Sequence, residues 1–273
     1  MHFALFIATV VAYALSLALY LLFLSTGRVL TGRLGTLLLA VGLVTHYFAL
    51  LERSRGLNGI HTVPYHDLYG AMSLFGWLLA LTYLGLELYH RQRSVGALVL
   101  PFILVFFVAA HVAPPDKLSP PDAHGPLFAL HVTLNILAYS AFAISFVLSI
   151  IFLIQNRRLR DHKLGAVGWR FPALDVLERM TRSSVLIGCA SLVVGMAAGL
   201  VWAHRLEGQY WNGDPKVIVT ILILLAYVGY SFLSQTAAWR GARASALCIF
   251  NFMFVIFSYS IVNRYLSHFH RYF

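Results

Sequence analysis

The chain has 273 residues, of which 60% are hydrophobic and only 11% are charged, and its mean hydropathy is +0.77. Soluble domains carry about a quarter charged residues, so this composition excludes a soluble globular protein and indicates a membrane protein. The net charge of +10 lies in short loops between apolar runs, which argues for a membrane-topology signal and against binding to nucleic acid.

Eight apolar runs along the chain are candidates for membrane spans, since a spanning helix needs about 20 apolar residues. The first run lacks a basic start and a small-residue cleavage site, so we predict a helix there and not a signal peptide. Runs of this length must close their backbone hydrogen bonds internally, which predicts an all-α, polytopic integral membrane protein with a single transmembrane domain over residues 1–273. The eight runs are 1–24, 34–51, 67–89, 95–112, 127–154, 183–203, 215–237 and 245–267.

Arginine and lysine are concentrated in alternate loops, and this asymmetry predicts the orientation of the helices. The loops near 25–33, 90–94, 155–182 and 238–244 carry 13 of the 20 basic residues. We predict that these loops are cytoplasmic and form the inner side, and that both termini are extracytoplasmic. The expected location is the bacterial cytoplasmic (inner) membrane, crossed several times.

The segment before the sixth run, WRFPALDVLERMTR, mixes apolar and charged residues at near-helical spacing. Its apolar members include Phe171, Leu174, Leu177 and Met180. The pattern is typical of a short amphipathic helix, and we predict that residues 169–182 form one on the inner face of the membrane.

Twelve histidines are many for a hydrophobic chain, and the predicted topology places ten of them on or near the outer side. An ionisable group in a membrane helix usually faces a cavity, a partner or a metal, and imidazole suits iron, copper or zinc. Scatter over loops and helices favours a cofactor held between helices over a compact zinc site, although a histidine at a helix end can also simply be solvated. The ten are His2, His46, His61, His66, His111, His124, His131, His204, His268 and His270.

The stretch EGQYWNGDPK joins the sixth and seventh runs. Asp214 is a favourable N-cap and Pro215 a favourable first helical residue, so the pair predicts the start of the seventh helix. Trp202, Tyr210 and Trp211 are typical of an interfacial aromatic belt. Both features therefore have an explanation that needs no ligand.

The same stretch, read from Gly199 onward, resembles the tryptophan-rich WWD segment of the cytochrome c assembly family, which includes CcsA, ResC and CcmC. The family form is approximately G-x-V-W-A-x-x-x-W-G-x-Y-W-x-W-D-P-K-E. The matching residues, which fall in one register without a gap, are Gly199, Val201, Trp202, Ala203, Gly208, Tyr210, Trp211, Asp214, Pro215 and Lys216.

Four further blocks are similar to motifs of this family, so that the resemblance covers nearly the whole chain. They are GIHTVPYHDLYGAMSLFGW (59–77), HVTLNILAYSAFAISF (131–146), AWRGARA (238–244) and SYSIVNRYLSHFHRY (258–272). The resemblance implies the fold of that family, a bundle of membrane-spanning helices.

The chain also departs from the family pattern. Glu207 and Gly213 stand where the family has tryptophan, and Val217 stands where it has glutamate. A family histidine on the following helix falls near Ser231 or Phe232, and it is missing here. These departures bring the chain closer to HemX-like and YpjD-like relatives, whose aromatic loops are also degenerate.

The resemblance implies that the protein binds haem b. His131 and His270 match the family's outer ligand positions, with His268 as a nearby substitute for His270, and these would ligate the haem iron. The other cofactor-binding candidates are Trp202, Tyr210 and Trp211 for packing on the ring, Asp214 and Lys216 in the loop, and His46 or His66 in the role of an earlier membrane histidine.

The function implied by the resemblance is haem handling in cytochrome c biogenesis, with haem held at the outer membrane face for delivery to apocytochrome c. A ResB/CcsB-like membrane partner is implied as well. No residue resembles a nucleophile, so catalysis is expected only as a subunit of a haem-attachment synthase (lyase). The alternative is a HemX-like membrane regulator of tetrapyrrole biosynthesis that exports no haem.

Overall fold

The structure is a computed structural model that describes residues 2–56, 68–112, 125–162, 171–208, 210, 214–258 and 260–261. Within these ranges the fold is all-α, as predicted, and contains no strand. The helices in chain order are α1 (His2–Thr26), α2 (Val29–Gly56), α3 (Leu68–His90), α4 (Gly96–Val112), α5 (Pro126–Arg160), α6 (Leu174–Glu207), α7 (Pro215–Leu233) and α8 (Ala242–Phe257).

Within the described residues, each of the eight predicted runs overlaps one of these helices. Six of the helices, α1, α2, α3, α5, α6 and α7, are long and apolar enough to cross a membrane. The other two, α4 and α8, are equally apolar but have only 17 and 16 residues. Large apolar side chains such as Leu186 and Phe250 project from the bundle, as expected where lipid is the surrounding solvent. The chain is a multi-pass membrane protein.

The prediction of a separate surface helix at 169–182 is wrong. Helix α6 begins at Leu174 and runs without a break for 34 residues. Leu177 and Met180 are completely buried in the core formed with α3 and α5. An amphipathic pattern shows that one face is apolar, but it does not show whether lipid or another helix covers that face. Here the first turns of α6 extend a membrane-spanning helix beyond the apolar run.

Helices α1 and α2 form an antiparallel pair in which tyrosines lie against glycines. The ring of Tyr13 lies directly on Gly42, and that of Tyr20 lies on Gly35. A side chain at Gly42 would collide with the tyrosine ring, so glycine is what permits this close approach. Helix α4 then packs on α1 and α3 and completes the first half of the bundle.

A buried carboxylate ties three helices together near the predicted inner end of this first half. Glu87 of α3 is only 2% exposed, and its Oε2 accepts hydrogen bonds of 2.6 Å from the hydroxyls of Tyr20 on α1 and Tyr83 on α3. Its Oε1 accepts from Thr36 of α2, with Arg93 Nε 3.9 Å away. A buried charge is tolerated only when it is hydrogen-bonded in this way.

The second half of the bundle is built on the pair α5 and α6, with α7 and α8 packed against it. Three glycines of α6 meet larger residues of α5: Gly188 lies against Phe142, Gly195 against Asn135 and Gly199 against His131. The ring of Phe142 also stacks on Tyr227 of α7, with centroids 3.7 Å apart. Helix α3 packs on α5 and joins the two halves.

We expect Tyr20→Phe to lower the free energy of unfolding by about 1.5–3 kcal/mol, since it removes one donor from a buried charged acceptor. The measurement is thermal unfolding of the detergent-solubilised protein followed by circular dichroism. Tyr89→Phe is the control, because Tyr89 lies two residues from Glu87 but is 79% exposed. Equal stability of the two variants would contradict the structural role of Glu87.

Candidate functional site

The candidate site lies where the predicted outer ends of α5 and α6 meet the beginning of α7. Pro126 occupies the first turn of α5, where its missing N–H leaves no hydrogen bond unmade. His131 follows little more than one turn later and is half-buried between α5 and α6. Its ring packs directly on Gly199, so the absence of a side chain at that residue makes the space for the imidazole.

The hydrogen bonds of His131 determine which ring nitrogen carries the proton. Nδ1 lies 2.7 Å from the carbonyl oxygen of Gly195, which can only accept, so Nδ1 carries the hydrogen and donates it. The amide nitrogen of Asn135 lies 3.2 Å from the same Nδ1, but it donates at 2.6 Å to the His131 carbonyl instead. The lone pair is therefore on Nε2, the arrangement found in metal-ligating histidines whose other nitrogen is held by a carbonyl.

Aromatic rings surround this end of the two helices. Phe128 packs on Trp202 with centroids 4.7 Å apart, and its ring is 6.5 Å from that of His131. Farther along α6, the ring of His204 stacks in parallel on Tyr210 at 4.0 Å. Both residues of this second pair are exposed. Flat faces are thus available both beside the histidine and at the protein surface.

Helix α7 begins as predicted. Asp214 is its N-cap, and Oδ1 accepts a hydrogen bond of 2.8 Å from the backbone N–H of Lys216, which confirms the capping role. The side chain of Lys216 is only 7% exposed. Its Nζ donates to the Ser258 hydroxyl at 3.0 Å and lies 5.8 Å from the centre of the Tyr139 ring. In the described part of the chain, the hydrogen bond of this buried amine therefore goes to a neutral group.

His46 is placed in the other half of the bundle. It is completely buried, with Nδ1 3.2 Å from the Tyr13 hydroxyl and Nε2 3.1 Å from the Ser73 hydroxyl. The ring of Phe107 contacts it edge-on, with centroids 4.3 Å apart. Both ring nitrogens of His46 are therefore engaged within the protein, and the structure does not bring this residue together with His131.

Several predicted site residues lie outside the described residues, namely His66, Trp211, His268 and His270. Among the described candidates, Trp202 packs on Phe128, whose ring in turn lies near that of His131. Tyr210 lies at the surface next to His204. Glu207 and Gly213 do not provide the rings that the family has at those positions.

Sequence reasoning did not single out Asn135 or His204 as members of the site. Asn135 follows His131 by four residues, so the i, i+4 spacing on a helix was a signal for their contact. The stacking of His204 on Tyr210 had no such signal, because a loop connects them and loop geometry is not periodic.

The fold and site together define a multi-pass helical membrane protein with a histidine and an aromatic cluster at one end of two closely packed helices. Comparison with known proteins is more specific. A family model described as "Cytochrome C assembly protein" matches residues 65–270, which is more than half of the chain. The chain belongs to the cytochrome c assembly protein family.

Individual relatives agree with this result. The chain is similar to "Cytochrome c biogenesis protein CcsA" of Guillardia theta, with 26% identity over 73% of this chain and 73% of that protein. The protein of the same name from Porphyra purpurea is also 26% identical, over 73% of this chain and 75% of its own length. That of Synechococcus sp. (strain CC9902) is 26% identical over 73% and 74%.

Gly199→Ala is expected to displace the His131 ring and to lower the free energy of unfolding by about 1–3 kcal/mol, because an added methyl group overlaps the imidazole. Gly229→Ala is the matched control. A methyl group at Gly229 meets no heavy atom within 4 Å, and alanine is the better helix former by about 1 kcal/mol. Thermal unfolding of both variants tests the contact, and a Gly199→Ala protein as stable as Gly229→Ala would rule it out.

Proposed function

We propose that this protein binds haem b at the outer membrane face and holds it for delivery to apocytochrome c during cytochrome c maturation. The observation that carries the proposal is the orientation of His131. Its Nδ1–H is donated to the Gly195 carbonyl, which leaves Nε2 as the nitrogen with a lone pair for iron. The names of the CcsA relatives, which are cytochrome c biogenesis proteins, support the same process.

The chemistry of the surrounding residues fits haem. Haem has a flat apolar ring, an iron with two axial positions and two carboxylates. Trp202 lies in the cluster beside His131 and offers an apolar face, and Tyr210 offers another at the surface. Lys216 offers a buried ammonium whose hydrogen bond goes to a hydroxyl, and a propionate would add a second negative charge to that of Asp214.

The second axial ligand in this proposal is His270, with His268 able to replace it, as the family resemblance implies. Asp214 contributes indirectly, since its cap fixes the start of α7 and thereby the place where the Lys216 side chain leaves the helix. The chain's own residues bind and orient the cofactor, while the haem supplies the vinyl groups that become linked to cysteine thiols of the client cytochrome.

Attachment to the client would need a second protein, and the proposed partner is a ResB/CcsB-like membrane protein in the bacterial cytoplasmic membrane. The proposed topology places both termini and the His131 site on the extracytoplasmic side, where apocytochrome c is met. This chain would then act as the haem-positioning subunit of a synthase.

The alternative function is a HemX-like regulator of tetrapyrrole biosynthesis. The replacement of two family tryptophans by Glu207 and Gly213 favours it, because the aromatic surface for haem is smaller. The two functions differ in one measurable property, which is whether the purified protein carries haem.

The test of the proposed function is the absorption spectrum of the protein purified from haem-replete cells. Wild-type protein is expected to show low-spin, bis-histidine haem b, and His131→Ala is expected to shift the spectrum toward high spin because one axial position opens. Added imidazole should restore the low-spin form. His162→Ala is the control, since His162 is an exposed histidine on the predicted inner side, away from the proposed site.

The double variant His268→Ala/His270→Ala is expected to give the same shift as His131→Ala. If neither variant alters the haem content or the spectrum, the haem is not bound where we propose. If the wild-type protein carries no haem under these conditions, the regulatory function replaces the proposed one.

Lys216→Met is expected to weaken haem retention by about tenfold or more, which corresponds to the loss of one charge-assisted hydrogen bond. Its unfolding free energy should stay unchanged or rise, because a buried amine whose hydrogen bond goes to a neutral hydroxyl is replaced by an apolar side chain of similar length. Haem loss during gel filtration and thermal unfolding are the two measurements. Ser258→Ala is the control, because it removes only the hydroxyl that accepts the hydrogen bond of Lys216, and it should retain haem. Unchanged haem retention in Lys216→Met would exclude binding of a propionate by Lys216.

A further inference from the structure

A groove lies on the surface of the bundle at the inner end of α8, far along the chain from the haem-site residues of α5 and α6. It has a volume of about 460 Å³ and is open to the surroundings. Its lining consists of Trp239, in the turn before the helix, and of Arg243, Ala246, Leu247 and Phe250 on α8.

The lining residues of α8 follow one another at intervals of three, one and three positions. This spacing places the four residues on a single face of the helix, spread over about two successive turns. The charged residue comes first, at the end of α8 that carries the basic loop, and the apolar residues follow toward the middle of the bundle. Phe250 is 71% exposed and Trp239 is 39% exposed, so no other described helix covers this face.

The side chain of Arg243 is held at one end of the groove by the turn that precedes α8. Its Nη1 donates a hydrogen bond of 2.8 Å to the carbonyl oxygen of Ala238. A guanidinium group has five N–H donors in a rigid fork, and that fork matches the geometry of a phosphate. Trp239 lies next to it, and tryptophan is characteristic of the headgroup level of a membrane.

The order of these groups matches one class of molecule. A cation at headgroup level, an aromatic ring beside it and an apolar strip below correspond to the phosphate, the glycerol region and the acyl chain of a lipid. A partner helix fits less well, since contacts between membrane helices favour small residues, whereas this face presents Trp, Arg, Leu and Phe with one Ala. We propose that the groove binds an anionic phospholipid of the leaflet that contacts the basic loops.

In this arrangement the lipid phosphate pairs with the guanidinium of Arg243, and one acyl chain lies along Leu247 and Phe250. Basic residues close to a membrane contribute about 1 kcal/mol each toward anionic lipid. Arg240, three residues away, is exposed but does not line the groove, so it contributes only to the general surface charge. A comparison of variants at the two arginines therefore distinguishes a specific lipid site from a general attraction of lipid to the basic surface.

The experiment is a titration of the full-length, delipidated protein with phosphatidylglycerol, followed by native mass spectrometry, with phosphatidylcholine as the neutral probe. Phosphatidylglycerol is expected to bind more tightly than phosphatidylcholine. Arg243→Gln should weaken phosphatidylglycerol binding by about fivefold, and Arg240→Gln by less than about twofold. Equal losses in the two arginine variants would overturn the proposal in favour of a diffuse basic surface.

Ala246→Trp tests the groove without changing its charge. Ala246 is exposed, so the added ring fills the groove and is not forced into the core, and thermal unfolding verifies that the variant is folded. Phosphatidylglycerol binding is expected to fall by at least as much as in Arg243→Gln. Unchanged lipid binding in Ala246→Trp would overturn the proposal. If, in addition, a membrane protein that copurifies with the wild-type chain no longer copurifies with Ala246→Trp, the groove binds that protein.

Discussion

The close packing of α5 against α6 is the contact on which the candidate site depends. In a membrane there is little hydrophobic gain from bringing two apolar helices together, so they associate through shape and through hydrogen bonds. Gly188, Gly195 and Gly199 make the shape possible, and the bond from His131 to the Gly195 carbonyl adds the hydrogen bond. The same hydrogen bond that helps to hold the two helices together also sets the tautomer of His131. The packing of the helices therefore prepares the histidine for the proposed binding of haem iron.

Polar groups inside the first half of the bundle serve a different purpose. Glu87 and His46 are buried in apolar surroundings, where an unsatisfied polar group costs several kcal/mol, and tyrosine hydroxyls meet them both. These networks connect α1, α2 and α3, and within them the buried polar atoms of Glu87 and His46 are hydrogen-bonded. Lys216 contrasts with them, because its amine is buried beside a hydroxyl and a ring, with the Asp214 carboxylate acting on it electrostatically.

Two surfaces of the molecule thus have distinct chemistry. The predicted outer end combines a histidine, exposed rings and a buried cation, which suits a flat ligand with carboxylates. The predicted inner end of α8 combines an arginine, a tryptophan and an apolar strip, which suits a lipid. Family membership rests on residues 65–270, a range that includes both surfaces.

The sequence by itself determined the elements, because long apolar runs leave the backbone no alternative to helix in a membrane, and because Asp214 and Pro215 act on neighbouring residues. Tertiary structure decided what covers each face. It buried Leu177 and Met180 where an amphipathic pattern predicted a surface helix, and it paired His131 with a carbonyl 64 residues away. Local periodicity reports which side of a helix is apolar, but partners distant in the chain become visible only once the helices are packed.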